Sequence, residues 1–189
     1  MNTNATGFDQ DEYLHLALDA VRRGDHGTAL AYLKEGAARC PQDARIAYML
    51  GAEYAQIGLY DRAEAEMRRA FEIDSSLHTA CFQLGLLQMT QARMDQAVET
   101  WRGLDALADG HALRYFRDGL VALAADRFDD ARQRLQAGMA ANDFSPELNK
   151  DMENLLARLP DAAATENAES EAPATPVWFR DYQQPGRHN

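Results

Sequence analysis

Three things are scarce in this sequence: long apolar runs, positive charge and cysteine. No stretch of the chain approaches the roughly 18 to 20 consecutive apolar residues that cross a bilayer, so insertion into a membrane is not expected. The start of the chain, from Met1 to Asp9, is polar and lacks the basic beginning and apolar core of a secretory signal. We therefore expect a cytoplasmic protein.

The shortage of positive charge bears on the partners of the chain. Its 19 Lys and Arg residues stand against 30 Asp and Glu residues, which gives a formal net charge of −11. A surface of this sign repels a phosphate backbone instead of neutralising it. Nucleic acid is therefore not an expected partner.

The residue types that build catalytic and metal sites are few or scattered. The two cysteines, Cys40 and Cys81, have the spacing of neither a redox motif nor a metal motif, so we interpret both as packing residues. The five histidines form no His-Glu-x-x-His pattern, and no serine stands in a nucleophile-elbow context. We predict a protein that is not an enzyme and that needs no cofactor and no metal.

What the sequence does contain is an internal repeat. An alanine that precedes a large apolar residue by four positions recurs every 34 residues, at Ala29, Ala63, Ala97 and Ala131. A second series of small residues has the same interval, at Ala17, Gly51, Gly85 and Gly119. Two independent series with one period indicate an array of repeats.

The same interval separates the positions that break the helices. Gly24 and Gly58 lie between two helical stretches, and Ala92 and Asp126 occupy the matching places later in the chain. Acidic residues follow within the next turn, as at Asp61, and they suit the positive N-terminal end of a helix. Each repeat is therefore predicted to be a helix, a short turn and a second helix.

The second repeat resembles the tetratricopeptide family. It has Leu50, Gly51, Tyr54, Ala63 and Met67 at the spacing of the family signature, and the resemblance extends over about residues 11–143. The resemblance implies an all-α fold, an α-solenoid of four helix-turn-helix repeats.

The repeats and the changes in composition divide the chain into five parts. After a flexible N-terminus over residues 1–10, the four repeats cover 11–143, at about 10–43, 44–77, 78–111 and 112–143. The start signal Ser145-Pro146 predicts a capping helix over 145–159. Residues 160–175 are predicted to be an acidic flexible linker, and 176–189 form a tail.

The tail contains an aromatic cluster in otherwise polar surroundings. Its apolar and aromatic residues are Val177, Trp178, Phe179 and Tyr182. Since aromatic side chains dominate interface hot spots, we predict that this segment docks, either in a groove of its own chain or on a separate partner.

The resemblance also implies a binding surface. In the tetratricopeptide architecture the first helix of each repeat lines a concave groove, and three positions on it project inward. That register assigns to the groove Leu14, Leu18, Val21, Tyr48, Ala52, Ala55, Phe82, Leu86, Met89, Phe116, Leu120 and Leu123. We expect its aromatic members to be partly exposed, so that their truncation weakens binding more than stability.

An apolar groove on a repeat protein indicates a module or adaptor that binds a segment of another polypeptide. Four alternatives stay open. The same residues widen the core, or a second copy of the chain closes the groove in a homo-oligomer. A small acidic protein of this kind is also similar to the tetratricopeptide chaperones of type III secretion, and a regulatory subunit of an enzyme complex is a further candidate.

Overall fold

The computed structural model describes residues 8–160. Within this range the chain forms nine α-helices and one short 3-10 helix, and it has no strand. The α-helices are α1 (Gln10–Arg22), α2 (His26–Arg39), α3 (Ala44–Gln56), α4 (Tyr60–Ile73), α5 (His78–Thr90), α6 (Met94–Trp101), α7 (Ala112–Ala124), α8 (Phe128–Ala141) and α9 (Pro146–Leu156). The 3-10 helix is Arg102–Ala106. The predicted all-α fold is confirmed.

The described residues form two compact units that divide after Leu87, within α5. In the N-terminal unit α1 packs against α2, α2 against α3, and α3 against α4. In the C-terminal unit α7 packs against α8, and α8 contacts α9, the helix predicted to follow the fourth repeat. None of the helices in this part of the chain is long and apolar enough to span a bilayer.

The start of α1 shows why the first repeat begins at this point in the chain. The Asp9 carboxylate accepts a hydrogen bond from the Glu12 amide at 2.9 Å, and the Asp9 amide donates to the Glu12 carboxylate at 2.7 Å. The ring of Phe8 packs edge-on against that of Tyr13, with 5.6 Å between centroids. This capping box and its accompanying apolar contact satisfy the first amides of α1 and fix the direction of the entering chain.

Four turns of the same geometry each join the two helices of one pair. Gly24, Gly58, Ala92 and Asp126 all have positive φ, at 71°, 77°, 60° and 54°. After each of them, the next amide donates to the carbonyl five residues earlier, as from Leu59 to Tyr54 at 2.8 Å. This is the hydrogen bond of a Schellman motif, which ends one helix and lets the next one return along it.

The two helices of a pair approach each other closely where one of them carries a glycine. A β-carbon at Gly119 of α7 would lie 2.7 Å from the Leu135 side chain of α8. A β-carbon at Gly138 of α8 would lie 2.5 Å from the ring of Phe116. Because real β-carbons do not come this close to other atoms, both positions require glycine for the pairing seen here.

The third repeat departs from the predicted pattern in its second helix. The second helices of the other repeats, α2, α4 and α8, each have 14 residues. In the third repeat α6 ends after 8 residues, and the chain continues as the 3-10 helix of 5 residues. Leu104 within this segment is buried, so the altered backbone still contributes to the core.

The turns predict opposite effects for a matched pair of substitutions. Ala92→Gly should raise the free energy of unfolding by up to about 1 kcal/mol, because it removes the strain of a β-carbon in the left-handed region. Gly24→Ala should lower it by about 1 kcal/mol, since only the backbone conformation opposes the methyl group. Urea unfolding of both variants measures the two shifts, and shifts of the same sign would contradict this account.

The glycine contacts predict a second pair of opposite effects. Gly138→Ala should lower the free energy of unfolding by about 1 to 3 kcal/mol, because the new methyl group overlaps the Phe116 ring. Gly27→Ala is the control: its β-carbon would meet only the Asp25 carboxylate, at 3.7 Å. There the gain in helix propensity should raise stability by up to about 1 kcal/mol. Thermal unfolding distinguishes the two, and a neutral Gly138→Ala would show that the α7–α8 contact yields easily.

Candidate functional site

The candidate surface lies on α1 and α3, the first helices of the N-terminal unit. An ion pair joins their first turns, with Arg45 Nη2 2.9 Å from Asp11 Oδ1. Arg45 also pairs at 2.7 Å with Asp43, whose side chain caps α3. Asp11 and Arg45 are separated by one repeat length. The ion pair therefore places equivalent positions of the two repeats next to each other.

The carboxylate of Asp43 is the electrostatic centre of this junction. Burial raises the pKa of Asp43, but hydrogen bonds from the Arg45 side chain and from the amides of Arg45 and Ile46 outweigh it, so the pKa is lowered. A carboxyl group whose pKa is lowered on folding stabilises the fold at pH values above its unfolded-state pKa. This contribution is lost as the pH falls through the folded-state pKa. The junction is therefore intact at neutral pH and weakens in acid.

Apolar side chains continue from the ion pair along both helices. Leu18 and Ala52 lie seven residues after Asp11 and Arg45, which is two helical turns further on the same faces. The side chain of Leu18 is 39% exposed. Four further residues are half-buried, so they keep part of their surface in solvent: Val21, Tyr48, Ala52 and Ala55. We call these five residues, Leu18, Val21, Tyr48, Ala52 and Ala55, the first-helix face.

The twelve predicted groove residues differ in their exposure. Six of them are buried: Leu14, Phe82, Met89, Phe116, Leu120 and Leu123. The expectation of partial exposure fails most clearly for Phe82 and Phe116, both 0% exposed. Leu86 is half-buried. As packed, the six buried residues present almost no surface to a partner.

Two local causes explain why the aromatic residues are buried. The ring of Phe116 fills the space above Gly138, where a β-carbon would come within 2.5 Å of it. Phe82 belongs to α5, which carries apolar residues on all sides, and a helix of that composition is buried instead of offering one open face. In both cases the surroundings of the residue, which the register does not describe, decide its burial.

A buried polar contact lies behind the first-helix face, and it was missed in the sequence. The Glu53 carboxylate of α3 is buried and lies 2.8 Å from Nδ1 of His26, the first residue of α2. Burying a carboxylate is costly unless it has a partner, so this contact helps fix α3 against α2. The two residues lie 27 positions apart and belong to no sequence motif. Only the fold brings them together, so no pattern in the sequence indicates the contact.

No constellation for metal chemistry stands out in residues 8–160. Among them, no group of three or more His, Cys, Asp or Glu side chains could hold a metal ion. Cys40 is half-buried, and Cys81 is buried, which raises the pKa of its thiol to about 11. A thiol of that pKa is protonated at neutral pH and is a poor nucleophile.

Comparison with known proteins shows what the repeat is. Residues 44–77, which comprise α3 and α4, match the tetratricopeptide repeat family. The chain carries a tetratricopeptide repeat. The predicted resemblance to this family is thereby confirmed, and it supports a protein-interaction module.

Solved structures of MamA share the fold. One MamA structure has a TM-score of 0.58 and 19% sequence identity, over 77% of this chain and 81% of MamA. MamA from residue 41 onward, of Desulfovibrio magneticus RS-1, gives 0.58 and 21% over 79% of this chain and 86% of that one. A further MamA structure, AMB-1, gives 0.56 and 23% over 77% and 80%. No curated protein matches the sequence.

Several predictions lie beyond these findings. The boundaries of the four tetratricopeptide repeats remain predictions, and so does the assignment of binding residues. The docking segment, with Val177, Trp178, Phe179 and Tyr182, lies outside the described residues, as does all but the first residue of the predicted linker.

The burial of Phe116 predicts a stability effect that reverses the expectation from the sequence. Phe116→Ala should lower the free energy of unfolding by about 3 to 5 kcal/mol, because it leaves a cavity in the α7–α8 contact. Leu18→Ala, on the first-helix face, should cost less than about 1 kcal/mol. Urea denaturation measures both, and equal losses would mean that Leu18 is as deeply packed as Phe116.

Proposed function

We propose that this tetratricopeptide-repeat protein binds an apolar segment of another polypeptide on the first-helix face of its N-terminal unit. The observation that supports the proposal is the contrast in burial between predicted groove residues. The members on α1 and α3 that make up this face keep accessible apolar surface, whereas those on α7 are buried. Apolar side chains left in contact with water on neighbouring helices favour an interaction site.

The shape of the face indicates what it accepts. Ala52 and Ala55 have short side chains and follow Tyr48 by one and two helical turns, and Leu18 is the α1 residue one repeat length before Ala52. We propose that the space over these short side chains, beside the larger Leu18 and Tyr48, accepts a bulky apolar side chain. From Tyr48 to Ala55 the helix rises about 10 Å, at about 1.5 Å per residue. The face therefore has room for one or two anchoring side chains of a bound segment.

Charged residues border one end of the first-helix face. At the start of α1 and α3 the Asp11–Arg45–Asp43 cluster is polar and internally paired. A bound segment therefore places its apolar residues over the alanines and a polar residue over the ion pairs. With one or two anchors, its affinity is modest unless it continues onto other surfaces.

Three biological roles use a surface of this kind and differ only in the partner. An adaptor holds a folded protein by one exposed segment, and a chaperone of the type III secretion kind shields an unassembled one. A regulatory subunit binds its enzyme. We propose the adaptor role as the simplest of these, in the cytoplasm and with a protein as the partner instead of nucleic acid.

The test uses two surface residues of equal exposure. Leu18 on α1 and Val98 on α6 are both 39% exposed, so Leu18→Ser and Val98→Ser remove similar amounts of accessible apolar surface. Peptides selected by display against the full-length protein are titrated into both variants by calorimetry. Leu18→Ser should weaken binding about 5- to 30-fold, which corresponds to about 1 to 2 kcal/mol. Val98→Ser should leave it unchanged.

A second substitution tests the depression itself. Ala55→Glu places a charged side chain in the space proposed for the anchor, so it should abolish binding of the same peptides. Circular dichroism checks that the variant is folded. Selected peptides that bind wild type, Leu18→Ser and Ala55→Glu with one affinity would disprove this location.

A further inference from the structure

A different surface of the N-terminal unit gathers positive charge around one aromatic ring. Lys34 Nζ lies 5.8 Å from the ring centroid of Tyr54, and Arg62 Cζ lies 5.7 Å from it. The three residues come from α2, α3 and α4. Tyr54 is buried in the same cluster as Leu33 and Met67, so the ring that both cations approach is held in place by packing.

The two cations have no carboxylate partner within residues 8–160. Acidic side chains neutralise five arginines of the unit, Arg23, Arg39, Arg45, Arg68 and Arg69. Arg22 also lacks a carboxylate partner in the described residues, but only Lys34 and Arg62 share one aromatic ring. The Glu35 carboxylate next to Lys34 already accepts hydrogen bonds from Tyr13 and Arg39. In a chain of net charge −11, two neighbouring unpaired cations mark a place for an external anion.

Exposed apolar residues adjoin the cations at the turn between α3 and α4. Ile57, Leu59 and Tyr60 are 42%, 41% and 38% exposed. Leu59 is the N-cap of α4 and makes no side-chain capping bond. An Asp or Ser there would stabilise the helix by about 1 kcal/mol. The chain thus presents a leucine to solvent where a polar residue is preferred.

We propose that these residues bind the acidic, aromatic segment 161–182 of this protein. We call the site the cation–aromatic patch, which comprises Lys34, Tyr54, Ile57, Leu59, Tyr60 and Arg62. The segment has complementary charge, with one basic residue, Arg180, and five acidic ones, Asp161, Glu166, Glu169, Glu171 and Asp181. It also carries Trp178, Phe179 and Tyr182, which match the exposed apolar residues of the turn.

Charge favours this patch over the first-helix face as the location of the segment. The first-helix face contains no charged residue, and Arg45 at its end is already neutralised by Asp11 and Asp43. On the patch, both Lys34 and Arg62 are available to carboxylates. The segment therefore leaves the first-helix face open, so that one chain can bind its own tail and a partner at the same time.

Tethering makes a weak contact sufficient. Exposed ion pairs and cation–π contacts each contribute little free energy, too little to hold two separate molecules together. A segment attached to the same chain has an effective concentration in the millimolar range. The stretch from Pro160 to Trp178 can span up to about 60 Å, at about 3.4 Å per residue.

The two tryptophans of the chain allow a direct test. Trp101 is 0% exposed, so acrylamide quenching of the full-length protein reports mainly on Trp178. Lys34→Gln/Arg62→Gln should raise the quenching constant about two-fold, because loss of a half-occupied site doubles the accessible fraction. In the wild type, about 0.5 M NaCl should do the same, since it shortens the Debye length to about 4 Å.

The matched control removes equal charge elsewhere. Arg22→Gln/Arg134→Gln neutralises two exposed arginines outside the patch and should leave quenching at the wild-type value. Equal quenching in all three proteins, or an equal rise in both double variants, would overturn the proposal. So would a rise in Leu18→Ser alone, which would locate the tail on the first-helix face. Circular dichroism verifies folding, and the peptide titrations test the first-helix face independently of this result.

Discussion

The close contact between the two helices of a pair is the constraint on which the remaining structure depends. At Gly51, a β-carbon would lie 2.8 Å from Met67 and 3.1 Å from the carbonyl oxygen of Ala63. With the backbones this near, the connecting turn must reverse the chain within a few residues. The left-handed residue and the hydrogen bond over five positions provide that reversal. The rotation of each first helix is then fixed, and with it the side chains that reach solvent.

Much of the fold could be predicted because its determinants are local and periodic. The alanine and glycine series specify which faces of neighbouring helices meet, and Ser145 with Pro146 marks the start of α9. Burial at the candidate site could not be predicted in the same way. Whether Phe116 is open to solvent depends on Gly138, a residue on another helix whose small size matters only once the helices are paired. The Arg45–Asp11 pair and the cations around Tyr54 likewise join residues that no sequence motif connects.

The two surfaces of the N-terminal unit differ in the forces they use. The first-helix face consists of apolar residues, and the charges beside it are paired with each other, so the binding proposed there should depend on shape and be insensitive to salt. The cation–aromatic patch offers unpaired charge beside exposed rings, so its interactions weaken as ionic strength rises. Under the two proposals, the protein would respond to ionic conditions at one surface while it kept a partner on the other.

The interrupted second helix of the third repeat has a consequence for how the molecule opens. Ala92 holds a strained backbone at its turn, and α6 gives way to a 3-10 helix after 8 residues. Short helices with strained ends lose their hydrogen bonds in local fluctuations more readily than longer ones. The amide protons of α6 should therefore exchange with solvent deuterium before those of α4 or α8. Loss of order on heating would then reach α6 before it reaches α4 or α8.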